Sequence, residues 1–114
     1  MRNIKLLISY DGTAYHGFQI QKNAVTIQEM LETALRSLTG EETAVTGCSR
    51  TDAGVHAVNY VCNFRSNTGI PCDKLPYALN TRLPEDISCM AAEEADEDFH
   101  ARFSAKSKIY VYII

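Results

Sequence analysis

Residues 43–64 read Thr43-Ala-Val-Thr-Gly-Cys-Ser-Arg-Thr-Asp-Ala-Gly-Val-His-Ala-Val-Asn-Tyr-Val-Cys-Asn-Phe64. Two apolar, β-friendly runs, Thr43 to Cys48 and Val55 to Phe64, flank a polar stretch that carries Arg50, Asp52 and Gly54. Runs of this kind, bounded by turn residues, read as strands. In the second run Val58, Tyr60, Cys62 and Phe64 alternate with Ala57, Asn59, Val61, Asn63 and Arg65. The alternation predicts one apolar face, Val58 included, and one mixed face. A polar stretch between two strands is a loop held on a rigid sheet, where binding and catalytic groups concentrate.

Working outward, Ile4 to Tyr10 reads as a first strand, broken by Asp11-Gly12-Thr13. A loop then runs to Ala24 and holds Tyr15, His16, Gly17, Phe18, Gln19 and Gln21. Aromatics mixed with amides suit stacking on unpaired bases, and suit ordinary loop packing equally well. Thr26-Ile27-Gln28-Glu29 is a capping box. Ile27, Leu31, Ala34, Leu35 and Leu38 follow at helical spacing, and Gly40 is the stop. Downstream, Ser66 to Gly69 is loop, and residues 73–81 predict a short helix with Pro76 in its first turn. Ile87 to Ala92 is a strand, ended by an acidic turn. Lys108 to Ile114 is the last strand, with Ile109, Val111 and Ile113 pointing one way and Tyr110 and Tyr112 the other. The order strand, helix, strand, strand, helix, strand fits an α+β, ferredoxin-like (split βαβ) antiparallel sheet with both helices on one face, plus an added strand. Residues 1–114 read as a single domain without repeats or linkers.

Apolar content of 46% and charged content of 22% exclude a disordered chain. The four cysteines, Cys48, Cys62, Cys72 and Cys89, have no CxxC spacing and no His placed to complete a zinc site. They read as free thiols of a reducing compartment. No signal-peptide pattern opens the chain, and no apolar run approaches the roughly 18 residues of a membrane span. The expected location is therefore cytoplasmic, with no membrane partner. Net charge is −3, but seven of the 14 acids fall between Glu85 and Asp98, leaving seven against 11 basic residues elsewhere. Nucleic-acid affinity needs a local basic surface, not a basic total, and Arg50, Arg102, Lys106 and Lys108 are candidates for it.

Asp52 is the only carboxylate between Glu42 and Asp73. Asp-Ala-Gly is common turn chemistry, so residue type alone does not make Asp52 catalytic. The wider stretch Arg50-Thr51-Asp52-Ala53-Gly54-Val55-His56-Ala57 resembles the active-site motif of the tRNA pseudouridine synthase A family. Tyr10-Asp11-Gly12-Thr13, Gly17-Phe18-Gln19-Ile20-Gln21, the run Asn80 to Ile87 and Phe99-His100-Ala101-Arg102-Phe103-Ser104-Ala105 resemble further segments of it. The resemblance implies that Asp52 is the catalytic residue and that Arg50 helps extrude the target base. It implies that Tyr110 lies against that base. It also implies that Phe99, His100, Ala101, Arg102 and Phe103 touch RNA, with Arg102 and His100 on phosphate and Phe99 or Phe103 stacking. Apart from the resemblance, core packing is the preferred account of the two Phe, and a half-wet strand face that of the tyrosines. The family usually has Gly where this chain has Ser49, a position where close backbone approach would matter.

The implied substrate is uridine in the anticodon stem-loop of tRNA, and the implied assembly is a homodimer. No cofactor and no metal are implied. Family members continue into a second domain, and Ile109-Tyr110-Val111-Tyr112-Ile113-Ile114 stops in mid-strand. The expectation is a first, catalytic domain of a longer two-domain enzyme. A single-stranded RNA-binding module on the same sheet is the rival reading. Against it, the third strand lacks the glycine-and-aromatic pattern of an RRM. A metabolite-binding regulatory domain is a third reading, since fold does not fix function.

Overall fold

The computed structural model describes residues 1–15, 17, 18, 25–48 and 56–101, and the backbone of 109–111. Strand β1, Arg2–Tyr10, obeys a period of two. Ile4, Leu6, Ile8 and Tyr10 are buried, while Lys5, Leu7 and Ser9 alternate with them on the more open face. A one-turn 3-10 helix, Gly12–Ala14, follows.

Helix α1, Ile27–Thr39, begins and ends where its caps predict. The Thr26 hydroxyl accepts the Glu29 N–H at 3.3 Å. Gly40 closes the helix at φ 76°, a left-handed conformation that glycine adopts without a Cβ clash. Ile27, Leu31, Ala34 and Leu35 form the buried stripe. Strand β2 (Thr46–Gly47), strand β3 (His56–Ser66), helix α2 (Leu75–Asn80) and strand β4 (Ile87–Ala95) complete the order, and β5 (Ile109–Val111) is the added strand.

The sheet runs β2-β3-β1-β4, with β5 also on β3. Every pairing is antiparallel, so β1 lies parallel to β2, with β3 between them. Likewise β3 lies parallel to β4, with β1 between. Each parallel pair is joined through a helix, which is the expected split βαβ. Parallel crossovers share one hand, which puts both helices over one face. β1 occupies the whole of one edge of β3, from Arg2↔Ser66 to Tyr10↔Ala57. On the other edge β2 pairs with Cys62 and Asn63, and β5 pairs with His56, Ala57 and Val58.

Three expectations are corrected. Val58 does not join the apolar face and is 42% exposed. Ile8 faces Tyr60 and Tyr10 faces Ala57, so β3 spends one residue more than β1 over that interval. Asn59 takes up the extra residue at φ 57°, a conformation Asn tolerates better than most side chains. The bulge turns Ala57 into the core and Val58 out. Second, β2 is only two residues long. The N–H of Val45 is taken by Glu32 Oε2 at 2.9 Å, and its carbonyl by Gln28 Nε2 at 2.8 Å. Side chains of α1 thus satisfy backbone that a longer strand would pair. Third, the acidic turn starts later than expected. Glu93 and Glu94 belong to β4 and meet Lys5 at 3.1 Å and Arg2 at 2.9 Å. Opposite charges across a strand pair extend the ladder where like charges would end it.

All four cysteines are free, with Cys48, Cys62 and Cys89 buried and Cys72 half-buried. Among the described residues no helix is long and apolar enough to cross a membrane.

Candidate active site

The ends of three strands meet at one edge of the fold: Tyr10 of β1, His56 of β3 and Ile87 of β4. An open cleft of about 540 Å³ lies there, lined by Tyr10, Asp11, His56, Val58, Asp86 and Ser88 among others. Asp11 caps the 3-10 turn. Its Oδ1 accepts the Thr13 N–H at 3.0 Å and the Thr13 hydroxyl at 2.6 Å. Those bonds hold its carboxyl below the usual carboxylate range, the hydroxyl most strongly, so Asp11 is a carboxylate at neutral pH. The Asp11 N–H donates to the Asp86 carbonyl at 2.9 Å, and the Tyr15 hydroxyl donates to Asp86 Oδ1 at 2.6 Å. Burial, then the bond to Asp86, pushes the Tyr15 phenol far up, and it stays a donor. The turn after β1 is therefore tied to the start of β4.

The motif stretch is carried between two fixed points. On one side, Cys48 donates its N–H to the Val61 carbonyl at 2.9 Å. On the other, His56 opens β3, its Nδ1 lying 3.1 Å from the Gly12 N–H and 3.0 Å from Asp11 Oδ1. Ser49, Arg50, Thr51, Asp52, Ala53, Gly54 and Val55 lie outside the described residues, as do His16, Gln19, Gln21, Arg102, Phe103, Lys106, Lys108 and the side chain of Tyr110. The backbone of Tyr110 is described. It pairs with Ala57, the last residue of the quoted motif, one strand spacing away.

The loop aromatics that are described belong to the core. Phe18 is 3% exposed and stacks on Tyr60 with ring centroids 4.6 Å apart. Tyr10 meets Tyr60 edge-on at 5.6 Å. This plate lies under Gly47, at the end of β2 that leads into the motif. Packing, and not base stacking, accounts for Tyr15 and Phe18.

The second family-like segment begins on the sheet face opposite the helices. Asn63 Nδ2 donates to Asn3 Oδ1 at 3.0 Å. Asn3 Nδ2 donates to the carbonyls of Asp96 at 2.7 Å and Phe99 at 3.0 Å, and the Ala101 N–H donates to Asn63 Oδ1 at 2.9 Å. Phe99 is half-buried against the core, with the Lys5 ammonium 5.6 Å from its ring centroid. His100 is half-buried and Ala101 wholly buried. Sequence reasoning gave no role to His56, Asn3 or Asn63. Alternation puts Asn63 on the mixed face of β3, so the sequence carried no sign that its amide is buried. No group of three or more His, Cys, Asp or Glu among the described residues is placed to hold a metal ion.

A protein-family profile described as tRNA pseudouridine synthase matches residues 6–104. The chain belongs to that family. Across all 114 residues it is 57% identical to the tRNA pseudouridine synthase A of Thermoanaerobacter sp. (strain X514), covering 100% of this chain and 47% of that relative. It is 56% identical to the protein of the same name from Acetivibrio thermocellus, and 53% identical to that from Clostridium acetobutylicum, each with 100% of this chain and 47% of the relative covered. The chain thus spans about half the length of the curated relatives it matches. Within the matched residues lie the second half of β1, the motif, Asn63 and Phe99–Ala101, while Asn3 lies before the first matched residue and Tyr110 beyond the last.

Proposed function

We propose that residues 1–114 are the N-terminal catalytic domain of a longer, two-domain, cytoplasmic tRNA pseudouridine synthase that acts as a homodimer. Its substrates are uridines of the tRNA anticodon stem-loop. The observation that carries this reading is the family match over residues 6–104, with the Arg50–Ala57 motif inside it. The rigid sheet ends at Cys48 and His56 support it.

The reaction breaks the bond from uracil N1 to ribose C1′, turns the base and forms a bond from C5 to C1′. N1 gains a proton and C5 loses one. An Asp is ionised at neutral pH, so Asp52 serves as nucleophile or base without a raised pKa. Arg50 beside it would hold it charged more firmly. The target must leave its stack, at a cost of a few kcal/mol. Arg50 fills the vacated space, and Tyr110 stacks on the flipped base. Phe99, His100, Arg102 and Phe103 are the RNA-contacting residues of this segment, and buried Ala101 anchors it to Asn63 beside the Asn3 contacts.

The test is nucleoside chromatography of unmodified tRNA after incubation with the full-length protein carrying residues 1–114. Pseudouridine confined to the anticodon arm is expected. A tRNA that is bound and returned unmodified would leave an RNA-binding module instead.

A further inference from the structure

We propose that the open face of the sheet is the seat of the parent protein's second half, which docks on an apolar stripe made by Val61, Leu7 and Ala91. The inference rests on the two-domain reading above. Both helices cover one face of the sheet. On the other, Val61 of β3 and Ala91 of β4 stand directly opposite Leu7 of β1, one on each side. Leu7 and Val61 are half-buried, and Ala91 is exposed. With Lys5, Ala92 and Glu93 they line a groove of about 260 Å³. The neighbouring row on one side, Asn63, Lys5 and Glu93, is polar, and Phe99 and Ala101 are held to it. The row on the other side holds Ser9 and Ser88, which line the cleft. An apolar centre inside a polar rim is the anatomy of a protein interface.

Charge, size and chain length select the occupant. Lys5 is the one cation lining the groove, and its ammonium is 3.1 Å from Glu93. The groove therefore offers RNA phosphate no net positive charge. The stripe is also small, a single apolar row between polar ones. A partner arriving from solution needs roughly 20–30 residues a side. A half tethered to the same chain meets the stripe at an effective concentration of about millimolar, so a smaller contact suffices. The curated relatives are about twice as long as this chain, which covers 47% of them, so a second body of similar size is there to be seated. β5 ends at Val111 beside His56, five residues along β3 from Val61, roughly 17 Å. The sequence that follows β5 starts within reach of the stripe. Seated there, the second half borders the cleft along Ser9 and Ser88.

The test is photo-crosslinking of the full-length protein carrying residues 1–114. The photoreactive residue p-benzoylphenylalanine replaces Ala91 and, as a control, Thr33, an exposed residue of α1. Crosslinked peptides are mapped by mass spectrometry, with and without tRNA. The expected result is an intramolecular crosslink from position 91 to a peptide beyond residue 114, made without tRNA, and none from position 33. A crosslink from position 91 to a second protomer, to tRNA or to residues 102–108 overturns the proposal. So does no crosslink from position 91, or the same crosslink from both positions. If the protein with the probe at position 91 does not fold, the same probe at exposed Ser88, one row away, decides by the same outcomes. Pseudouridine formation by the wild type is scored separately. Its absence sinks the synthase reading, while the crosslink alone decides the docking.

Discussion

At the scale of single residues, Gly47 shows how the core limits the approach to the motif. A Cβ built there would meet the Tyr60 hydroxyl and the Phe18 ring. Both side chains are buried in the aromatic plate and have nowhere to swing. Overpacking of this kind costs about 1–3 kcal/mol. Gly47→Ala should therefore lower the urea midpoint of the domain without changing the slope of the transition. An unchanged midpoint would mean that the plate gives way freely. His56 makes a complementary point. It stands in the quoted motif, yet its partner Gly12 is 44 positions away, and no local pattern connects them. Asp52, in contrast, was named from sequence alone, by a resemblance across eight residues and not by its own chemistry.

At the scale of elements, the helices were the easiest to read. Thr26, Gly40 and the stripe of Ile27, Leu31, Ala34 and Leu35 are local signals, and α1 starts and stops where they say. The strands were legible in kind but not in detail. The bulge at Asn59 depends on the register between β1 and β3, which no single strand encodes. The short β2 depends on two α1 side chains, Gln28 and Glu32, capturing the backbone of Val45. The Asn3–Asn63 clamp was illegible for the same reason, since it joins residues 60 positions apart. It gives a prediction for the segment it orders. Asn63→Ala leaves the Ala101 N–H and part of the Asn3 amide without partners, each at about 1–3 kcal/mol when buried. Hydrogen exchange at the amides of Phe99 and Ala101 should quicken at least tenfold, while α1 amides stay protected. Uniform loss of protection would show that the clamp supports the whole domain and not that segment.

At the scale of the whole molecule, the thiols set a pH limit. Burial pushes Cys62 well above the ordinary thiol value of 9.0, and pushes Cys89 up to about 11. A group whose folded pKa is raised stabilises fully below its unfolded value and less as pH climbs toward the folded one. Stability to urea should hold steady from pH 7 to about 8.5, then fall between about pH 9 and 11, and Cys89→Ala should soften that fall. Half-buried Cys72 should react with a thiol reagent ahead of buried Cys48, Cys62 and Cys89 in the folded domain. Equal reactivity of all four would contradict the burial pattern.

The central claim concerns the stretch those elements support. It is tested most directly by tritium release from tRNA labelled at uridine C5, using the full-length protein and its Asp52→Ala variant, with tRNA affinity measured beside it. The account predicts release by the wild type, none above background by the variant, and tRNA binding kept within about threefold. Release by Asp52→Ala at the wild-type rate would contradict it, and so would a loss of activity matched by an equal loss of binding.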